Sequence, residues 1–333
     1  MQKITKKGWT EIGICAGAFV VIAVLAAFFD LAINKALYNP NSLFGQYFDK
    51  LGELPSYLAA PIVGTILFHQ DFGKTKTHTI LWKVVSAALV FVGWYYAIGS
   101  WFWGNFIRET ISYSVVYKIV FCLILTACAL LATVKVDKKV MRKLLVLALF
   151  IAVVAALSNV IVQIMKILWS RQRFRTMVDN DANAELIATY VRGGDLFQGF
   201  SPWYKPEFLF KSPLRAGDYV SSYKAIDHDA FKSFPSGHTV AASASFFLII
   251  LPDMYSKFAK YKWMFWVFPA IYTALVGISR IVMGAHYLSD ILFGGFIGFA
   301  VAALARWFFV SHLGSLYGRF DIPQDSRIIV LSQ

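Results

Sequence analysis

Apolar runs about as long as a membrane span recur along this chain, and they limit its fold more than any other feature. A helix needs about 20 consecutive apolar residues to cross a bilayer. Eight runs can be traced: Ile12–Ala36, Leu54–Phe68, Ile80–Trp103, Ser114–Val134, Leu144–Met165, His238–Leu251, Trp263–Met283 and Tyr287–Val310. The second is short and holds Pro55 and Pro61. The 333 residues are 58% hydrophobic and 15% charged. Soluble domains average roughly 45–50% and roughly 25%, so both figures are displaced toward lipid. This excludes a disordered chain and a disulfide-rich scaffold, and argues against an ordinary cytosolic enzyme. Lys3, Lys6 and Lys7 precede the first run. A signal peptide shows the same charge order, but its apolar part is about 7–15 residues long. The first run exceeds that and reads as a retained transmembrane helix.

The net charge of +13 comes from 32 Lys+Arg against 19 Asp+Glu, and its placement decides what it means. With the N-terminus in the cytoplasm and eight crossings, the cytoplasmic segments hold Lys3, Lys6, Lys7, Lys74, Lys76, Lys83, Lys135, Lys138, Lys139, Arg142, Lys143, Lys257, Lys260, Lys262, Arg306, Arg319 and Arg327. The short outer loops hold mainly Asp49, Lys50, Glu53, Arg108 and Glu109, which nearly cancel. This is the cation bias of cytoplasmic loops, and it accounts for much of the excess without nucleic acid. The long polar stretch Lys166–Gly237 then falls outside the cytoplasm. Trp94, Tyr95, Tyr96, Trp101, Phe102 and Trp103 read as an interfacial aromatic belt. Cys15, Cys122 and Cys128 all lie in apolar runs and read as core thiols rather than a disulfide or metal site.

Three polar clusters fall on the predicted outer side. The first holds Lys166 and Arg173, seven residues apart. In one helix they would share a face, with Arg171 and Arg175 adding charge. They read either as snorkelling anchors or as the cation pair of a phosphate pocket. The second is Phe234-Pro235-Ser236-Gly237-His238 at the start of an apolar run. It reads either as an ordinary helix cap or as an anion site with His238 at its edge. The third runs from Ser279 and Arg280 to His286 and Asp290. The i,i+4 spacing predicts that His286 and Asp290 share a helix face. Asp290 could set the imidazole tautomer and leave the other ring nitrogen as nucleophile or base. A structural ion pair is the competing reading. Taken together, Lys166, Arg173 and Arg280 supply cations, Ser236 and nearby amides neutral donors, His286 a nucleophile and His238 a proton donor. That set suits phosphoryl transfer through a histidine.

Lys-x6-Arg, Pro-Ser-Gly-His and Ser-Arg-x5-His-x3-Asp, in this order beside membrane helices, resemble the three-part signature of the type 2 phosphatidic acid phosphatase (PAP2) family. The resemblance covers about Leu144 to Val310. It departs at Phe174, where the family usually has proline, and in two extra N-terminal helices and a long insert beyond the family's six-helix plan. The resemblance implies that His286 attacks phosphorus, Asp290 orients it, and His238 protonates the leaving oxygen and then activates water. It implies that Lys166, Arg173, Ser236, Gly237 and Arg280 bind the phosphoryl group, and that neither a metal nor another cofactor is needed.

Elsewhere, His69, His78 and His312 fall at helix ends away from this site. Asp227, His228 and Asp229 read as a solvated loop without a metal-ligand pattern. Trp203, Tyr204, Phe208 and Phe210 suggest a lid or a membrane-surface segment. We therefore expect an all-α polytopic transmembrane bundle. Residues 1–79 would hold additional helices and 80–165 the helices leading to the first motif. Residues 166–237 would form an extracytoplasmic loop, 238–312 the catalytic helices, and 313–333 a cytoplasmic tail. The expected activity is a membrane lipid phosphatase acting on a phosphatidic acid, polyprenyl diphosphate or phosphatidylglycerol phosphate type of substrate, in a bacterial plasma membrane with an outward site. Its partners would be the lipid phosphate and membrane lipids, with no nucleic acid. A lipid phosphotransferase using the same site, or a non-enzymatic lipid or anion transporter, remains as an alternative.

Overall fold

A computed structural model describes residues 6–73, 75–98, 115–178, 200–206 and 231–319. Lys3, Lys74, Trp101, Phe102, Trp103, Arg108, Glu109, Phe208, Phe210, Asp227, His228, Asp229 and Arg327 lie outside the described residues, as do the side chains of Lys6, Lys7, Cys15 and Arg319. The chain order is α1 (Lys6–Leu37), α2 (Leu43–Leu51), α3 (Leu54–Phe68), α4 (Lys76–Tyr96), α5 (Val115–Thr133), α6 (Lys138–Trp169), α7 (Phe174–Val178), α8 (Gly237–Ser243), a 3-10 segment Ala244–Ile250, α9 (Leu251–Met254), a 3-10 segment Ser256–Tyr261, α10 (Lys262–Val282), α11 (Leu288–Ser311) and α12 (Leu313–Arg319). No strand occurs among the described residues. Among the described residues, eight helical stretches are long and apolar enough to cross a membrane. The chain is an all-α polytopic membrane protein.

The helices begin and end where local chemistry dictates. Thr75 caps α4 by accepting the His78 amide at 3.2 Å. Pro55 stands in the first turn of α3, where no amide proton is required. α6 extends beyond the apolar run Leu144–Met165 at both ends and stops at Ser170, whose φ of 44° reverses the backbone. α10 stops at Gly284, with φ of 63°. A Cβ on Gly284 would lie 2.6 Å from the Tyr38 ring, so both the left-handed backbone and the close approach require glycine. The short α2 carries no membrane-length run of its own and escapes a hydropathy reading.

The described residues form two compact units. The first comprises residues 1–49, 159–240 and 273–297. An aromatic cluster organises it. Phe293 meets Phe19, Trp203 and Phe234 at centroid distances of 5.2, 4.8 and 5.1 Å, and Trp169 stacks on Phe234 at 5.0 Å. Trp203 Nε1 donates to the Ala23 carbonyl at 3.1 Å, and Trp169 Nε1 donates to the Trp203 carbonyl at 2.6 Å. Trp203 is therefore packed into this unit. Tyr204 beside it is exposed.

The second unit comprises residues 50–158, 241–272 and 298–333. Its core joins Val146, Phe150 and Val154 of α6 to Phe246, Ile249 and Ile250, and to Ala302, Ala305 and Phe309 of α11. α3 and α4 approach through glycines: a Cβ on Gly64 would lie 2.9 Å from the Val90 backbone nitrogen, and one on Gly93 2.4 Å from Pro61. Small residues that admit a neighbouring backbone are the usual means of packing helices in lipid. Arg306 grips Asp253 with two bonds of 2.6 and 2.7 Å. Cys122 is buried, as a core thiol should be, but Cys128 is exposed. Exposure inside an apolar run places Cys128 on an outward face of α5, so hydropathy alone misassigned it to the core.

Candidate active site

The site lies in the first unit and is built outward from the start of α11. Asp290 is the third residue of that helix. Its Oδ2 reaches back to accept the Tyr287 amide at 2.8 Å, a capping bond that satisfies an otherwise unpaired donor. The Asp290 carbonyl accepts the Ser236 amide at 2.9 Å, which ties the second motif to the third. Ser236 caps α8: its Oγ accepts the Thr239 amide at 3.3 Å and the Thr239 hydroxyl at 2.8 Å. Gly294 makes room for this junction, because a Cβ there would stand 2.7 Å from the Ser236 carbonyl.

His286 precedes α11 instead of lying on it, and the turn brings its ring beside Asp290. Nδ1 is 2.6 Å from the Ser233 carbonyl and 3.7 Å from Asp290 Oδ2. A carbonyl can only accept, so the proton sits on Nδ1 and the lone pair on Nε2. His286 is fully buried, and Nε2 has no hydrogen-bond partner among the described residues. Burial, and then the fields of Arg173, Arg280, Lys166 and His238, hold the imidazole pKa well below its ordinary value. The ring is neutral at physiological pH and presents a bare nucleophilic nitrogen to a set of cations. Asp290 stands close enough to act by charge, while the Ser233 carbonyl determines the tautomer.

The structure brings the expected phosphate-binding residues together by a route that differs from the sequence reading. Lys166 and Arg173 do not share a helical face, because the turn at Ser170 lies between them. Lys166 Nζ rests against Gly237, where an added Cβ would lie 2.9 Å away. Arg280 is buried and pairs through Nη1 with Asp49 of α2. The same Asp49 Oδ1 is 3.3 Å from His238 Nε2. A carboxylate thus stands on two groups expected to meet a substrate phosphate. Phe174 occupies the first position of α7, where proline is equally well accommodated. Its buried ring packs edge-on against Tyr38 and Tyr287 at 5.3 and 6.5 Å. The substitution for proline is absorbed by packing.

Four residues were missed or underrated from sequence. Arg171, read only as added charge, is buried and bonds Asp290 Oδ1 at 2.6 Å and Asp30 Oδ2 at 2.9 Å. Its guanidinium also lies over the Tyr287 ring at 4.0 Å. Ser233 donates its hydroxyl to Asp290 Oδ2. Asp30 and Asn34 of α1 are fully buried, and Asn34 Nδ2 donates to the His286 carbonyl at 3.0 Å. The available signal was a pair of polar residues at i,i+4 inside the first apolar run, where buried polar groups are costly and mark function. Of the remaining histidines, His69 Nε2 is 2.8 Å from Thr133 Oγ1, and His312 Nδ1 is 2.8 Å from the Phe308 carbonyl. Both bonds are local to helix ends.

Comparison with known proteins bears on the segment that carries the three motifs. The PAP2 superfamily model matches residues 147–312, which include all three motifs. Phosphatidylglycerophosphatase B of Bacillus subtilis is 32% identical over 83 residues, covering 24% of this chain and 41% of that protein. The bacitracin transport permease protein BcrC of Bacillus licheniformis is 33% identical over 103 residues, 29% of this chain and 46% of its own. A lipid A 1-phosphatase of Porphyromonas gingivalis is 36% identical over 101 residues, 30% of this chain and 21% of its own. The chain thus spans less than half the length of each of these relatives. No solved structure matches it. With its three motifs converging on one buried histidine, the chain belongs over residues 147–312 to the PAP2 superfamily.

Proposed function

We propose that this protein is an integral membrane lipid phosphatase that works through a phosphohistidine on His286. The observation that carries the reading is His286 itself. Its Nδ1 is committed to a carbonyl, its Nε2 is bare and buried, and Lys166, Arg173 and Arg280 bias its charge. The Nε2 lone pair attacks phosphorus, the bond to the leaving oxygen breaks, and His238 gives that oxygen its proton. His238 then takes a proton from water, whose oxygen attacks the phosphohistidine. The phosphorus–nitrogen bond breaks, orthophosphate leaves and neutral His286 is restored. Lys166, Arg173 and Arg280 neutralise the phosphoryl oxygens throughout, where fixed charges in a dry site are most effective. The Ser236 hydroxyl, used locally as an acceptor, keeps its own proton for a substrate oxygen.

The substrate is a monoester or diphosphate of a lipid, of the phosphatidic acid, polyprenyl diphosphate or phosphatidylglycerol phosphate type. The phosphatase names of two relatives support that class. Loop charges support a site on the extracytoplasmic face, and the bacterial sources of the relatives support a bacterial plasma membrane. The test is phosphate release from a panel of lipid phosphates in detergent, with and without EDTA, comparing wild type and His286→Ala. Release that EDTA leaves intact and that the variant loses is the expected result. Equal release by the variant would refute the reading, and transfer of label to an added lipid alcohol at the expense of orthophosphate would recast the enzyme as a phosphotransferase.

A further inference from the structure

The N-terminal helix α1 lies outside the residues that match the superfamily model, yet two of its side chains end at the start of α11. Asp30 and Asn34 sit one helical turn apart and face the same way. Asp30 Oδ1 accepts the Ser289 amide at 2.9 Å, and Oδ2 accepts Arg171 Nη2 at 2.9 Å together with the Ser289 hydroxyl. The Arg171 guanidinium on one oxygen and the Ser289 amide on the other both favour the ionised form, and Asp30 is taken as a carboxylate. Asp290 is likewise loaded on both oxygens, by Arg171 on one and by Ser233 and the Tyr287 amide on the other. Arg171 Nε is spent on the Ser201 carbonyl at 2.7 Å. One buried guanidinium is therefore shared between two buried carboxylates, and the cluster carries a net charge of one negative unit beside His286.

We propose that Asp30 is a positioning residue for phosphoryl transfer: it draws off half of the Arg171 charge and so leaves Asp290 a net negative neighbour to His286. The inference rests on the phosphohistidine reading. As Nε2 bonds to phosphorus, the imidazole becomes a cation with its Nδ1 proton still on the Ser233 carbonyl. That cation forms among Lys166, Arg173 and Arg280, and the negative cluster is its counterweight. Without Asp30, Arg171 and Asp290 become a neutral pair and the cluster no longer helps to offset the new charge. Substrate binding, which depends on the cations, is largely unaffected. Asp30 thereby makes α1 part of the reaction apparatus, and Asn34 adds to it by holding the His286 backbone.

The test measures phosphohistidine formation by rapid acid quench, alongside steady-state kcat and KM and thermal unfolding in detergent, for full-length protein. Asp30→Asn keeps the shape and removes the charge. Its phosphorylation rate and kcat should fall about tenfold to hundredfold, the order of effect expected from losing a unit charge in a poorly screened site, with KM within about threefold. Adding Arg171→Gln restores the net charge of the cluster, and the double variant should recover at least about tenfold over Asp30→Asn even if it melts lower. A purely structural role predicts the reverse, because the double variant loses more bonds. Unchanged kcat in Asp30→Asn, or a double variant no faster than the single, overturns the inference while leaving the phosphatase reading intact. If His286→Ala still releases phosphate like wild type, both fall together.

Discussion

At His286 the decisive quantity is a proton count. Burial and four positive neighbours depress its pKa, so the folded protein keeps the ring neutral where an unfolded chain would protonate it. Above about pH 6.5 the two states bind equal protons and the group has no effect. As pH falls below about 6.5, the unfolded state gains the proton first, and stability drops by up to about 1.4 kcal/mol per pH unit. The apparent melting midpoint of wild type should fall more steeply between pH 7 and pH 5 than that of His286→Gln, and parallel slopes would show that the ring is not held neutral. Gly237 makes a second residue-scale case. A methyl there meets only the mobile end of Lys166. Gly237→Ala should change stability by less than about 1 kcal/mol while lowering kcat/KM about tenfold to hundredfold, through a displaced ammonium. A thermal melt and a rate on the same preparation separate the two effects.

Elements meet at this site through contacts that a single substitution can probe. α11 crosses the start of α8 at Gly294, and the obstacle to a side chain there is the Ser236 carbonyl, which cannot swing aside. Gly294→Ala should cost about 1–3 kcal/mol by overpacking and also lower activity, because Ser236 moves with its carbonyl. Normal activity in this variant would show that the α8–α11 junction tolerates a shift. α2 contributes in the opposite sense. Asp49 places a negative charge on Arg280 and His238, where a phosphate would bind. It is half-exposed, so the effect is moderated by solvent. Asp49→Asn should lower the inhibition constant of orthophosphate about threefold to tenfold, a change of about 1 kcal/mol. An unchanged constant would mean that the carboxylate leaves the site before any anion enters.

For the whole molecule, orientation in the membrane has the largest consequence. The cation bias along the sequence predicts that the stretch that follows α6 lies outside the cytoplasm. Tyr204 is exposed and adjacent to the anchored Trp203, which makes it a suitable reporter. A lone cysteine at Tyr204→Cys, in a chain with Cys15, Cys122 and Cys128 replaced, should react in intact cells with a membrane-impermeant thiol reagent. Labelling only after the cells are permeabilised would reverse the topology and move the site to the cytoplasmic face.

Hydropathy and spacing by themselves determined the helical class, the eight spans, and the residue types able to perform phosphoryl transfer. These are local properties: an apolar run must be buried in lipid or protein wherever it folds, and a cluster such as Pro-Ser-Gly-His keeps its chemistry in any setting. Tertiary structure alone decided the partners. Ser170 turns the chain out of α6, so the spacing of Lys166 and Arg173 is not helical. The Ser233 carbonyl, not Asp290, receives the Nδ1 proton. Asp30, Asn34 and Asp49 reach the site from α1 and α2, more than a hundred residues before the first motif. Sequence separation carries no trace of such contacts, because they depend on which buried polar groups find one another when helices pack. A buried carboxylate inside an apolar run announces that a partner must exist, and only the folded chain shows that the partner is Arg171 and that their shared charge faces His286.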